Sequence, residues 1–237
     1  MGTVLVTGAS RGIGIELARQ YVADGWQVLA AARAPEKSGG LRDLTKEFGD
    51  RVSLQTLDVT SDLSIVDLAE RLNRRPIDLL INNAAIYPRT GTHVGELDYD
   101  AWADTFEANL FGVMRLTEAL LENVAASERK QIAAISSGMG SLGAVAGGAV
   151  AQFGTSYQYR TSKAALNMAM LILSKELAPR GISVAIISPG WVKTDMGGAG
   201  AAITPEESVA GIKKILASHP MDISGKFLSY DGSVWAW

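Results

Sequence analysis

The chain has 237 residues, 22 basic and 25 acidic side chains, and a formal net charge of −3. That length suits one domain able to bury its own core. The absence of cysteine excludes disulfides, iron–sulfur clusters, zinc fingers and thiol catalysis, and two histidines are too few for a histidine-rich metal site. So balanced a charge gives no electrostatic footprint for nucleic acid or an anionic membrane.

Met1-Gly2 runs straight into an apolar strand pattern with no basic leader, so a cytoplasmic protein without a membrane anchor is expected. Strand-like 3–7 (TVLVT) leads into Thr7-Gly8-Ala9-Ser10-Arg11-Gly12-Ile13-Gly14 and a helical pattern over 13–24. Glycines let the backbone approach a pyrophosphate, and the helix that follows offers free N–H groups and the positive end of its dipole. The spacing is G-x-x-x-G-x-G rather than G-x-G-x-x-G, and a plain glycine-rich turn is the alternative reading. Gly8, Ser10, Arg11, Gly12, Ile13 and Gly14 are the expected phosphate contacts.

The second strand, 27–32, ends in three alanines followed by Arg33. An acid at that end would bind the ribose hydroxyls of NAD. Its absence, with Arg33 and Arg11 nearby, points to a 2′-phosphate and hence to NADP(H) over NAD(H). A third strand, 52–57, precedes Asp58-Val59, where the carboxylate either accepts from an adenine amino group or caps the helix expected at 62–73. The fourth, 78–82, runs into Asn82-Asn83-Ala84-Ala85, amides placed to tie neighbouring strands and a nicotinamide ribose together. Residues 102–127 read as one long helix.

Residues 131–159 carry no charge but hold six glycines, which suits a buried strand (131–136) and a small-residue loop better than a membrane span. That strand ends in Ser136-Ser137, a hydroxyl aimed at the crevice beyond the sheet or a simple turn former. A helix at 157–179 opens with Tyr159-Arg160-Thr161-Ser162-Lys163. Tyr159 and Lys163, at i and i+4, share a face, and an ammonium beside a phenol lowers its pKa and fits it to move a proton. Tyr157 has Thr161 at the corresponding position. A sixth strand, 182–188, leads into Pro189-Gly190-Trp191-Val192-Lys193-Thr194, with Pro189, Gly190, Val192 and Thr194 as cofactor contacts. The small residues of 196–203 then read as a mobile lid or a structureless loop. A helix at 205–218, announced by Thr204-Pro205-Glu206-Glu207, and a strand at 226–229 complete an alternation that predicts a single-domain, doubly wound parallel α/β sheet of about seven strands.

Together TGASRGIG (7–14), NNAA (82–85), Asn109 in ANLFG (108–112), Ser137, YRTSK (159–163) and PGWVKT (189–194) resemble the short-chain dehydrogenase/reductase family over the whole chain. SPGWVKTDMGG (188–198) and GKFLSYDG (225–232) are similar to its C-factor and Sniffer-like carbonyl reductase branch. The resemblance implies hydride transfer between NADP(H) and a carbonyl/alcohol pair. Tyr159 would be the general acid/base. Lys163 would hold the nicotinamide ribose and depress the Tyr159 pKa, Ser137 (rather than Ser136) would bind the substrate oxygen, and Asn109 would bend its helix and hold a water. Two departures stand out: alanine where NNAA usually has glycine, and a longer stretch between Ser137 and Tyr159 that should reshape the substrate mouth or a subunit interface.

Tyr87, Phe153 and Trp191 are aromatic candidates for a mouth that takes a hydrophobic ketone or aldehyde. The family implies a homodimer or homotetramer, paired through 102–127 and 157–179; residues 164–173 are apolar nearly all round their helix. A second reading is a C-factor-like signalling protein that binds nucleotide with little turnover. A third, a sugar-nucleotide epimerase, needs a longer C-terminal region than this chain has.

Overall fold

The computed structural model describes residues 2–237. Seven strands form one parallel sheet: β1 Thr3–Thr7, β2 Gln27–Ala32, β3 Val52–Thr56, β4 Leu79–Asn82, β5 Gln131–Ile135, β6 Ser183–Ser188 and β7 Phe227–Ser229. Their spatial order is β3-β2-β1-β4-β5-β6-β7. The chain winds outward from β1 in one direction, returns, and winds the other way from β4. The crevice beyond the carboxyl ends of β1 and β4 is therefore the topological switch point, where such sheets bind ligands.

Helices cover both faces, which is why the strands are almost wholly apolar rather than alternating. On one side Val4, Val6, Ala133 and Ile135 pack under α1 (Gly12–Ala23), α2 (Gly39–Phe48) and α9 (Pro205–Leu216). On the other, Leu5, Leu80, Ile132 and Ala134 pack under α3 (Asp62–Leu72), α5 (Gly112–Ala119) and α8 (Tyr157–Leu177).

Local signals set the helix starts. The Ser61 hydroxyl accepts from Ser64 N–H to cap α3, and at α9 Thr204 and Glu207 form a reciprocal capping box behind Pro205. The helix predicted at 102–127 is not one helix. It is α4 (Tyr99–Phe106), a π turn (Glu107–Phe111), α5 and, after a break at Leu120, α6 (Leu121–Ala125). The Gly112 N–H reaches back five residues to the Glu107 carbonyl, and that extra residue re-aims the side chains around Asn109. α2 lies in a stretch where no helix was predicted, although Ser38 caps it and Leu41 and Leu44 are buried. The long 138–156 stretch folds as a turn and a short helix, α7 (Leu142–Ala146). It is tied to the end of the chain: Ser141 Oγ donates to the Ala236 carbonyl at 2.6 Å and Gly143 N–H to that of Trp237 at 2.7 Å. A last short helix, α10 (Pro220–Ile223), precedes β7.

Candidate active site

The glycine loop joins β1 to α1. Gly8 and Gly12 take φ of +64° and +56°, where a side chain is strained. A Cβ on Gly14 would strike the Gly8 carbonyl, and one on Gly12 would press on the Thr194 methyl at 3.3 Å. Arg11 at the N-cap of α1 makes no side-chain capping bond, so no side chain satisfies the first N–H groups there. A cradle bare of side chains over an uncapped helix N-terminus fits a dinucleotide pyrophosphate. Ser10 is held by Ser38 Oγ, which donates to its carbonyl at 2.8 Å; Ile13 packs against the core beneath.

The remaining expected cofactor contacts rim the same crevice. The Ala9 N–H donates to Ala31 O and the Leu57 N–H to Ala32 O, which brings the glycine loop and the ends of β2 and β3 together. Arg33 is exposed just past β2. Asp58 lies close enough to feel its charge. Burial works to raise the Asp58 carboxyl, but hydrogen bonds from the Thr60 hydroxyl and amide, with Arg33, bring it below the usual range. Asp58 does not cap α3, since Ser61 does. The Val59 carbonyl lies where a side chain on Gly112 would need to be. At the end of β4, Asn83 Nδ2 donates to Thr7 O at 2.8 Å, and the amides of Asn83 and Ala84 both donate to Thr7 Oγ1. The amides thus tie β4 to β1 and set Ala84, with Ala85 next in the chain, against Gly8.

Beyond β6, Gly190 turns at φ +81° and Ser208 Oγ donates to the Pro189 carbonyl at 2.6 Å. The 190–204 segment carries both main-chain and side-chain bonds within itself. Val192 bridges Ile203, Trp191 Nε1 donates to Gly197 O at 2.9 Å, and the Gly197 N–H donates to Thr194 Oγ1 at 3.1 Å. Small residues permit this: a side chain at Gly197 would collide with the Val192 carbonyl. The tip is pinned from outside by Arg11, paired with Asp195 at 2.9 Å, and by Arg89, which donates to the Asp195 carbonyl at 2.5 Å. Sequence reasoning missed Arg89 and Asp195, because the loops that carry them lie far apart in the chain.

Ser137, Tyr159 and Lys163 meet at the end of β5. The Ser137 hydroxyl, which accepts from the Met139 N–H at 3.2 Å, lies near enough to the Tyr159 phenol to favour its ionised form. Ser136 turns away: its hydroxyl donates to Asn167 Oδ1 at 2.5 Å, in the interior. Lys163 Nζ donates to the Ile135 carbonyl at 2.8 Å and lies 5.7 Å from the Tyr159 ring centroid. Burial favours the neutral form of both groups. It pushes the Tyr159 phenol up to about 12, against the pull of the Ser137 hydroxyl, and brings Lys163 down to about 8.

Asn109 is fully buried in the π turn. Its side chain accepts from Ile86 N–H at 2.9 Å and donates to Ile86 O at 3.0 Å and Ser162 Oγ at 3.1 Å. A water held by Asn109 would therefore fall to its main chain. Ser162 was not singled out in the sequence, yet its hydroxyl also donates to the Tyr159 carbonyl at 2.8 Å. Around the mouth, Tyr87 packs on Tyr159 with ring centroids 4.7 Å apart, and Phe153 meets Trp191 edge-on at 5.2 Å. Phe153 thus brings the 138–156 stretch against the loop beyond β6.

Residues 2–202 match the family model described as short chain dehydrogenase, and the chain belongs to that family of oxidoreductases. It is 38% identical over 162 residues to the C-signal of Myxococcus xanthus, covering 68% of this chain and 93% of that protein. It superposes on the carbonyl reductase Sniffer of D. melanogaster with a TM-score of 0.90 at 29% identity, covering both chains completely. The NADPH-bound carbonyl reductase from chicken fatty liver gives 0.89 at 32% identity, covering 100% of this chain and 99% of that one. Among the described residues no helix is long and apolar enough to cross a membrane, and no group of acidic and histidine side chains is arranged to hold a metal ion.

Proposed function

We propose that this protein interconverts small hydrophobic ketones or aldehydes and their alcohols with NADP(H), using Tyr159 as the proton donor and acceptor. The observation that carries this reading is the buried Tyr159 with Lys163 5.7 Å from its ring at the end of β5, beyond the same sheet edge as a side-chain-free pyrophosphate cradle. Gly8, Gly12, Gly14 and the N-terminus of α1 would hold the pyrophosphate, Asn83 and Lys163 the nicotinamide ribose, and Thr194 the far side of the cofactor. When bound, the nicotinamide donates or accepts the hydride. Ser137 holds the substrate oxygen, and Tyr159 gives that oxygen a proton in reduction and takes it back in oxidation. Lys163 has two N–H bonds beyond the one given to Ile135, enough for ribose hydroxyls. Asn109 holds the helix turn behind them.

NADP(H) is preferred to NAD(H) because β2 ends without an acid and Arg33 follows it, free to meet a 2′-phosphate. The NADPH-bound chicken reductase supports the cofactor class. A second copy of the chain covers the outer face of α8. The likeness to the C-signal favours one other reading, nucleotide binding without turnover.

A panel of ketones, aldehydes and quinones with NADPH separates the two readings. Oxidation of NADPH by the native protein, lost by 10²–10⁴-fold in Tyr159→Phe with cofactor affinity kept, supports the reductase. Binding with no turnover on any substrate supports the alternative. In the same assay Arg33→Ala should weaken NADPH roughly tenfold or more and leave NADH unchanged, since a hydrogen bond to a charged group contributes roughly 1.5–3 kcal/mol. Equal losses for both cofactors would reduce Arg33 to a surface charge.

A further inference from the structure

Asn109 serves two aromatic rings at once. Through Ser162 it fixes the backbone of Tyr159 at the start of α8, and through both main-chain groups of Ile86 it fixes the loop after β4. The residue after Ile86 is Tyr87. Its ring is inclined 60° to that of Tyr159 at 4.7 Å, inside the range of favourable aromatic pairing. Tyr159 is 7% exposed, so its ring is enclosed yet must keep its hydroxyl free for the crevice. The Lys163 ammonium, 5.7 Å from the ring centroid, the Ser137 hydroxyl and the Tyr87 phenol are its polar neighbours. The Tyr87 ring is the large apolar surface brought against it from another element, and Asn109 sets the register between the two.

We propose that Tyr87 is a positioning residue that acts through Tyr159: its ring, held in register by the buried Asn109–Ile86 bonds, sets the plane of the Tyr159 ring and so aims its hydroxyl. The ring is the working part and the Tyr87 hydroxyl is dispensable. The catalytic consequence rests on Tyr159 as proton carrier; the geometric one does not. Burial of Tyr159 alone does not fix its orientation, because a phenol can turn about its side-chain bonds within a packed site. Misplacing a reacting group by a fraction of a bond length to an ångström is costly in rate.

The test pairs Tyr87→Phe, which keeps the ring, with Tyr87→Leu, which removes it. With a small and a bulky carbonyl substrate, Tyr87→Phe should stay within about twofold of the native kcat. Tyr87→Leu should lower kcat roughly tenfold for both substrates, leaving KM for NADPH unchanged. If Tyr87 only lines the mouth, Tyr87→Leu will raise KM for the bulky substrate and spare kcat for the small one, which overturns the proposal. Crystal structures of the two variants supply a readout that needs no turnover. Tyr159 should keep its native side-chain conformation in Tyr87→Phe and turn, or occupy several conformations, in Tyr87→Leu. A Tyr159 ring unchanged in Tyr87→Leu overturns the proposal even if the native protein reduces nothing, an outcome that would count only against the reductase reading.

Discussion

Lys163 and Tyr159 are a cation and an acid-to-be that the fold has almost removed from water, and burial shifts them in opposite directions. The lysine falls from 10.5 to about 8, so between those values the unfolded chain holds the extra proton. Its contribution to stability is full above pH 10.5 and is lost as pH falls through 8. The tyrosine rises from 10.0 to about 12, so its contribution is present below pH 10 and is lost as pH climbs through 12. Below pH 10 the lysine alone makes the pair pH-dependent. Lys163→Met removes that dependence. The urea midpoint of the native protein relative to Lys163→Met should therefore rise from pH 7.5 to pH 9.5, by on the order of a few kcal/mol at most when converted to free energy. A constant difference would mean that Lys163 is solvated in solution.

At the scale of elements, the far end of the sheet gathers Arg129 and Lys213 around two helix ends. α1 and α9 both end there, and helix C-termini present unpaired carbonyls and the negative end of a dipole. Lys213 pairs with Asp24 at 2.7 Å and donates to Gln20 O, while Arg129 donates to the Leu216 carbonyl. The cations complement helix ends. The 190–204 loop obeys a different economy. Its internal bonds are short-range, but its anchors to the rest of the molecule are exposed: the Arg11–Asp195 pair, Arg89 and the edge of Phe153 against Trp191. Such contacts are individually weak. Trp191→Ala removes both the Gly197 hydrogen bond and the Phe153 contact. It should increase protease cutting within 196–203 severalfold, and lower Tm by no more than about 2 °C because the core is untouched. A large drop in Tm would show that the loop is part of the global folding unit.

For the whole molecule the telling element is α8. Its inner face is packed, with Leu166, Met170 and Leu177 in the core. Its outer face, expected to be apolar, is open to solvent: Met168 and Ile172 are each 58% exposed. Nearby, Phe111 at the end of the π turn is 47% exposed. The face is covered only if a second chain packs on it, and an apolar stripe at helical spacing suits a helix from a symmetric partner. Light scattering should give at least a dimer, and Ile172→Glu should shift it to monomer while the fold, by circular dichroism, stays intact. A native monomer at micromolar concentration would leave the stripe as an exposed patch without a partner.

The architecture was legible in the sequence because apolar strand runs and capped amphipathic helices are local patterns, and a parallel sheet buried on both faces writes them plainly. Strand positions followed to within a residue or two, and Thr204 through Glu207 announced α9 by chemistry that needs no neighbour. The candidate site was legible where glycine spacing and an i, i+4 pair carry their own geometry. Other features depended on distant segments meeting. The break in 102–127 comes from a π turn whose Asn109 binds Ile86, 23 residues away. The 190–204 loop depends on the Val192–Ile203 bridge and on bonds from Trp191 and Thr194 to Gly197, which exist only once the chain has turned back on itself. The burial of Tyr159 and Lys163 could not be read from the sequence, because adjacency on a helix is a sequence property, whereas desolvation is set by everything packed around them.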